Sequence, residues 1–199
     1  MIEKNNPYKN RLYLFDFDGT ISWLDSFLLF TFYSVNIIIA LKFWFFISYK
    51  LFFVSNDKGK LKELFFNNFK GLNQNEFDLI CSSFSDKIIE RIIKKSFKKY
   101  IQKIHPSNKI VIVSASISNY LSPWCKKNGF ELISTELMKK NNILTGTFST
   151  KNCNGIEKLN RIEKSIDLDK FSEIHVFGNS KGDIEMLSLG THKYYKFFK

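Results

Sequence analysis

Three runs of apolar residues that do not alternate with polar ones constrain this chain more than any other feature. They are Leu12-Tyr13-Leu14-Phe15, Ile110-Val111-Ile112-Val113 and the stretch 174–178. A strand with one face in water alternates, whereas a strand covered on both faces reads as a continuous apolar run. The runs therefore predict buried strands over 11–17, 109–114 and 174–178, with shorter candidates at 131–134 and 194–198. Helical stretches fall between them, at 117–128 (closed by Gly129 as its C-cap), 155–166 and 181–189. Strands alternating with helices predict an α/β fold, a doubly wound parallel sheet with right-handed crossovers. A β-hairpin over 139–148, turning at Asn141-Asn142, stands apart from that pattern.

The first two core strands are separated by roughly 90 residues, far more than one crossover needs. The sequence thus divides into an α/β core, 1–21 with 107–199, and a helical insertion over 22–106. Within the insertion, 86–104 places Ile89, Ile93, Tyr100 and Ile104 on one helical face, with Lys94, Lys95, Lys98 and Lys99 elsewhere. The segment 27–54 is apolar nearly all round, with Lys42 and Lys50 its only charges. Ser26 to Leu41 gives 16 uncharged residues, short of the ~18 that suggest a spanning helix. Either these residues form the buried core of a helical unit, or they meet a membrane surface, as interfacial helices with Trp, Phe and interspersed Lys do. The chain has 22 phenylalanines, concentrated in its first third, more than a small helical unit hides easily. Contact with a membrane surface is the favoured expectation.

A net charge of +11 points to anionic partners: phosphorylated small molecules, an anionic membrane surface or nucleic acid. The lysines are spread along the chain, and there is no RNA-binding aromatic signature, zinc-finger spacing or helix-turn-helix pattern, so nucleic acid is not the expected partner. Cys81, Cys125 and Cys153 are odd in number and widely spaced, which suits a reducing compartment better than a disulfide framework or a zinc site. The first ten residues are polar and lead straight into a strand, unlike a secretory signal peptide. A cytoplasmic location is expected, with the aromatic insertion at the cytoplasmic face of the membrane.

The chemistry-bearing segment is Asp16-Phe17-Asp18-Gly19-Thr20, directly after the first buried strand. Two carboxylates at i and i+2 there can point into the crevice beyond the sheet edge, where open α/β sheets bind ligands. Gly19 lets the chain turn sharply. Three further segments fall at strand ends or the helix that follows: Ser114-Ala115-Ser116, Lys158 at the start of a helix, and Gly178-Asn179-Ser180-Lys181-Gly182-Asp183. Each alone is ordinary turn or cap chemistry; their order along the chain is what points to a site.

In that order the residues resemble the haloacid dehalogenase superfamily of phosphohydrolases, subfamily IB, the branch with phosphoserine phosphatases and phosphatidylglycerophosphate phosphatases. The resemblance implies a Mg²⁺-dependent phosphatase with Asp16 as the nucleophile and Asp18 as acid and then base. It implies Ser114 and Lys158 at the phosphoryl oxygens, Thr20, Ala115 and Ser116 lining the substrate, and Asp16, Asp18, Asn179 and Asp183 around the metal. One departure stands out: the family has an acid where this chain has Asn179, a neutral oxygen donor that implies reduced metal affinity. A lipid phosphate such as phosphatidylglycerophosphate is the leading substrate. A soluble phosphatase of small metabolites such as phosphoserine, and a catalytically weak membrane-binding module of the same fold, stay open beside it.

Overall fold

The computed structural model describes residues 10–53 and 58–199, with only the backbone of 47, 49–53 and 58. Val54, the polar first nine residues and the side chain of Lys50 therefore lie outside the described residues. Five parallel strands form one sheet in the order β3-β2-β1-β6-β7. They are β1 (Arg11–Asp16), β2 (Lys109–Ile117), β3 (Glu131–Thr135), β6 (Glu173–Gly178) and β7 (His192–Tyr195); β4 (Leu137–Lys140) and β5 (Ile143–Phe148) pair separately as an antiparallel hairpin. The chain runs outward from β1 through β2 and β3, then returns to the other side of β1 for β6. Strand order therefore reverses between β1 and β6, where such sheets place their ligand crevice.

The unalternating strand sequences are explained by two apolar layers. Leu12 and Leu14 join Val111, Val113, Val176, Ile162 and Met186 on one face, while Tyr13 and Phe15 join Ile112, Phe177 and Phe97 on the other. Aromatic rings stack across neighbouring strands, Phe15 on Phe177 at 4.5 Å and Phe177 on Tyr194 at 4.4 Å. At about 25 cal/mol per Å², these large buried rings supply much of the drive that holds the sheet.

Nine α-helical segments occur among the described residues: α1 (Ser26–Ser34), α2 (Ile37–Phe53), α3 (Lys58–Phe66), α4 (Gln74–Phe84), α5 (Glu90–Ile92), α6 (Lys95–Ile101), α7 (Ser118–Lys127), α8 (Ile156–Ser165) and α9 (Ile184–Ser188). The first six lie in the insertion between β1 and β2. α7 closes at Gly129, whose φ of 71° provides the left-handed C-cap expected of it. Asn141 and Asn142, with φ of 51° and 64°, make the two-residue hairpin turn. That hairpin is bonded to the insertion: Gly71 N–H donates to the Leu144 carbonyl, Leu144 N–H to that of Leu72, and Gln74 N–H to that of Asn142.

Two sequence expectations fail for tertiary reasons. The helix expected over 86–104 is broken at Ile93 and Lys94, which adopt extended ψ of 128° and 133°. Here the chain pairs with the segment after β1, as Trp23 N–H donates to Ile92 O and Lys94 N–H to Ile21 O, and these bonds replace the helical ones. Lys94, expected away from the apolar face, is buried instead. The last strand ends at Tyr195 and not at 198, because Lys196 takes φ of 53° and Phe198 folds back among Phe15, Phe97 and Phe177.

The aromatic insertion divides. Phe27, Phe30, Phe43, Phe65, Phe66, Phe69, Phe77 and Phe84 are buried together, and Phe30 packs on Tyr120 of α7 at 4.9 Å. The insertion thus hides more phenylalanine than its size suggests, because it shares one apolar cluster with the sheet. On α2, among the described side chains, Ile38, Leu41 and Phe45, at i, i+3 and i+7, are 58%, 55% and 81% exposed. No helix among the described residues is long and apolar enough to cross a membrane.

Candidate active site

Asp16 is the last residue of β1 and is buried. After it the backbone leaves helical geometry at Asp18 (ψ 117°) and turns through Gly19 at φ 77°. A side chain on Gly19 would also strike the Asn179 amide, 2.2 Å from where its Cβ would stand. The left-handed backbone is what requires glycine here, and any side chain would in addition have to displace the Asn179 amide.

Lys158, near the start of α8 and 1% exposed, is the centre of the charge arrangement. Its Nζ donates to Asp16 Oδ1 at 2.5 Å, Asp183 Oδ1 at 2.7 Å and the Val113 carbonyl at 3.1 Å, so all three protons are used. Burial disfavours its charge, but the two aspartates outweigh burial and hold Lys158 protonated above its usual range. Burial pushes the Asp16 carboxyl up, while Lys158 and the Thr20 hydroxyl pull it back. Thr20 Oγ1 donates to Asp16 Oδ2 at 2.7 Å. Each Asp16 oxygen thus carries one protein hydrogen bond and keeps a lone pair.

Asp18 has a different environment. Its Oδ1 accepts the Ser26 N–H and its Oδ2 the Ser116 hydroxyl, both at 2.7 Å, and none of its described hydrogen bonds comes from a cation. Burial first, and then the negative charge of Asp25, push the Asp18 carboxyl up to about 6, although Lys62 works against them. Ser26 and Ser116 hydroxyls lie 3.0 Å apart, and Ser26 lies 3.4 Å from the Tyr120 hydroxyl, so Asp18 sits on a buried hydroxyl network.

The structure brings every site residue of the sequence reading to one end of the sheet, but it allots several of them differently. Thr20 and Ser116, expected against substrate, are engaged with Asp16 and Asp18. Ala115 presents a carbonyl that accepts from Lys62 Nζ and from Thr135 Oγ1, each at 3.1 Å. Ser114 Oγ accepts the Ser116 N–H at 3.1 Å, which leaves its own proton to donate. Asp183 also accepts the Asn179 N–H, Ser180 N–H and Ser180 hydroxyl through Oδ2, and Lys158 and these donors hold its carboxyl low against the effect of burial. Asp183 thereby braces Lys158 and the loop that carries Asn179.

Three participants were not legible in the sequence. Lys62 reaches the site from α3, Ser26 from the first residue of α1, and Lys94 donates to the Gly19 carbonyl from the broken helix. Lysines in a lysine-rich insertion and a serine after an aspartate carry no distinguishing signal.

Asp16 ends β1 and Asn179 follows β6, and a carboxylate and an amide oxygen are donor types that suit a hard divalent cation. Asn179 crosses over Gly19, close to the turn that bears Asp16 and Asp18. With Asp16 the one carboxylate in that set, and Lys158 already beside it, the charge offered to a cation is low.

A model of the family described as haloacid dehalogenase-like hydrolase matches residues 13–188. No curated protein matches the chain. Among solved structures, a protein of unknown function from Bordetella pertussis Tohama I is 19% identical, with a TM-score of 0.78 over 92% of this chain and 88% of that one. A phospho-aspartyl intermediate analogue of phosphoserine phosphatase is 16% identical, with a TM-score of 0.66 over 93% and 85%. A cytosolic 5'-nucleotidase IIIB bound to cytidine is 16% identical, with a TM-score of 0.59 over 94% and 71%. At these identities the structural likeness is one of fold. The family match spans the turn after β1, Lys158 and Asp183 together, and this chain belongs to the haloacid dehalogenase-like hydrolases.

Proposed function

We propose that the protein is a Mg²⁺-dependent phosphomonoesterase that works through a phospho-aspartate on Asp16, with a lipid phosphate as substrate. The observation that carries the chemistry is the contrast within one turn: Asp16 is paired with a buried ammonium, while Asp18, two residues on, has neutral donors and a pKa of about 6. Two carboxyls with opposed environments are what a nucleophile and a proton carrier require.

Asp16 Oδ forms a bond to phosphorus as the bond to the leaving oxygen breaks, and the Asp18 carboxyl gives that oxygen its proton. Water then attacks phosphorus and gives a proton to Asp18; the acyl phosphate opens, releasing inorganic phosphate and the Asp16 carboxylate. Lys158 and the Ser114 hydroxyl offset charge on the phosphoryl oxygens. Mg²⁺, held by Asp16, the Asp18 carbonyl and Asn179, with Asp183 behind the loop, supplies neutralisation of the phosphate dianion. Lys62 and Ser26 give the helical insertion a wall of the site, so the insertion acts as its cap.

Asp18 must be protonated to serve the leaving group, so kcat/KM falls as pH rises through about 6. Asp25→Asn removes a negative charge that raises the Asp18 pKa, so the alkaline limb is expected to move to lower pH. Asparagine still caps α1, where Asp25 accepts the Leu28 N–H, so the fold stays intact. The check is the pH profile of kcat/KM with one aryl phosphate in both proteins, which cancels the substrate's own titration. A limb that stays in place removes Asp18 from the acid role.

The exposed side of α2 favours a lipid over a soluble metabolite, since Ile38, Leu41 and Phe45 present more than half of their apolar surface to solvent. Trp23 and Leu24, directly after the catalytic turn, are 59% and 51% exposed as well. Phe45→Ser is expected to keep aryl-phosphate hydrolysis and the melting transition, while co-sedimentation with anionic vesicles weakens by about 10- to 100-fold, equivalent to about 1.5–3 kcal/mol for one phenylalanine. Phe43→Ser, at a buried position, is expected instead to destabilise the fold. Wild-type protein that ignores vesicles and hydrolyses soluble phosphomonoesters better than lipid phosphates gives the substrate to the metabolite reading.

A further inference from the structure

Lys94 is a buried cation that the reaction as written does not use. It stands in the break between α5 and α6 and is 7% exposed. Its Nζ donates to the Gly19 carbonyl at 2.8 Å and to the Phe198 carbonyl at 3.0 Å, and it lies 5.4 Å from the centre of the Trp23 ring. Burial lowers its pKa, and its described hydrogen-bond acceptors are carbonyls, not carboxylates. An ammonium taken out of water without an acid is costly, so its donors have to be matched closely. Here two carbonyls and an aromatic face match them.

The partners are what make this arrangement informative. Gly19 lies between Asp18 and Thr20 at φ 77°, outside helical geometry. Its N–H donates to Ser22 Oγ at 3.2 Å, and its C=O is held by Lys94; the residue is therefore fixed on both sides. The Lys94 N–H also donates to the Ile21 carbonyl at 2.8 Å, closing the same turn from its far end. Phe198 belongs to the segment after β7, which is itself anchored where Lys196 N–H donates to the Gly178 carbonyl at 2.8 Å, next to Asn179. Lys94 therefore links the turn after β1 to a segment bonded to the end of β6.

We propose that Lys94 is a positioning residue for the catalytic turn, clamping the Gly19 carbonyl to the segment after β7 so that Asp16, Asp18 and Asn179 keep one spacing. The inference rests on the phosphatase reading of Asp16 and Asp18, and it predicts an effect on turnover and on the metal, neither of which Lys94 touches. Lys94→Met keeps the stem and removes the donors. In the full-length variant, kcat for an aryl phosphate is expected to fall by about 10- to 100-fold, the range that a small misplacement costs. KM should stay within a few-fold, and the Mg²⁺ concentration at half-maximal activity should rise. Lys94→Arg, which restores charge and donors, is expected to recover most of the lost kcat. A folded Lys94→Met protein with wild-type kcat and wild-type Mg²⁺ dependence overturns the proposal, as does one that loses only melting temperature. If Lys94→Met does not fold, Lys94→Gln is read by the same two quantities. Hydrogen exchange over residues 17–22 reads the clamp even in a wild type without turnover: faster exchange in Lys94→Met supports it, and unchanged exchange sinks it. Asp16→Asn separates the two readings, since an active Asp16→Asn protein defeats the phospho-aspartate and leaves the exchange result standing.

Discussion

Asp16→Asn is expected to abolish turnover, by at least about 10³-fold, while the fold survives. A carboxamide has nearly the same shape as a carboxylate, and its oxygen can still accept from Lys158 or Thr20, but it is a poor nucleophile toward phosphorus. Lys158 keeps Asp183 and the Val113 carbonyl as partners, so it is not left alone in the interior. The checks are kcat with an aryl phosphate, circular dichroism, and binding of beryllofluoride, which wild type should retain at Asp16 and the variant should lose. A contaminant-free preparation that keeps a substantial share of wild-type turnover removes Asp16 from the nucleophilic role.

Lys158→Met is expected to combine loss of activity with the largest loss of stability of any single change considered. Lys158 is 1% exposed and stands between Asp16 and Asp183, so its removal leaves two buried carboxylates facing each other without a cation. Breaking a buried ion pair by removing one partner costs about 3–5 kcal/mol. For a chain of this size that corresponds to a fall in Tm of roughly 6–20 °C. The pH dependence has a definite sign. Without the ammonium, both carboxyls lose a partner that lowers their folded-state pKa, so relative to wild type protonation favours the folded variant at low pH and that contribution is lost as pH rises. The stability gap to wild type should therefore widen from mildly acidic to neutral pH, which thermal melts at a series of pH values measure. A gap that is flat or narrows over that window means the aspartates are not relying on Lys158 for their charge.

Much of the catalytic end of the molecule was legible because local rules act there. A strand covered on both faces carries a largely apolar sequence without strict alternation, so β1, β2 and β6 are legible, and a chain leaving such a strand must turn, which places Asp16 to Thr20. Gly129 and Asn141-Asn142 were legible for the same reason, since left-handed backbone has few suitable residues. The errors arose where long-range contacts override local preference. The segment 86–104 has the periodicity of one helix, yet pairing with Ile21 and Trp23 breaks it at Ile93 and Lys94. The phenylalanines of the insertion are more than a separate helical unit of its size would bury, but its interior continues into that of the sheet.

The sequence by itself determined the parallel sheet, the acid pair at the end of its first strand, and the order in which serine, lysine and the Asn179–Asp183 loop follow. These depend on residue type and on spacing along the chain. Only the tertiary structure decided how the groups are paired: Thr20 and Ser116 bonded to the aspartates, Asp183 bracing Lys158, Lys62 and Ser26 brought in from the insertion, and Lys94 turned from an expected surface charge into a buried donor to two carbonyls. A hydrogen bond between residues 75 or 104 positions apart, as Lys94 makes to Gly19 and Phe198, leaves no periodicity to read. It exists because folding brings buried carbonyls to a place where water cannot satisfy them and a long, charged side chain can.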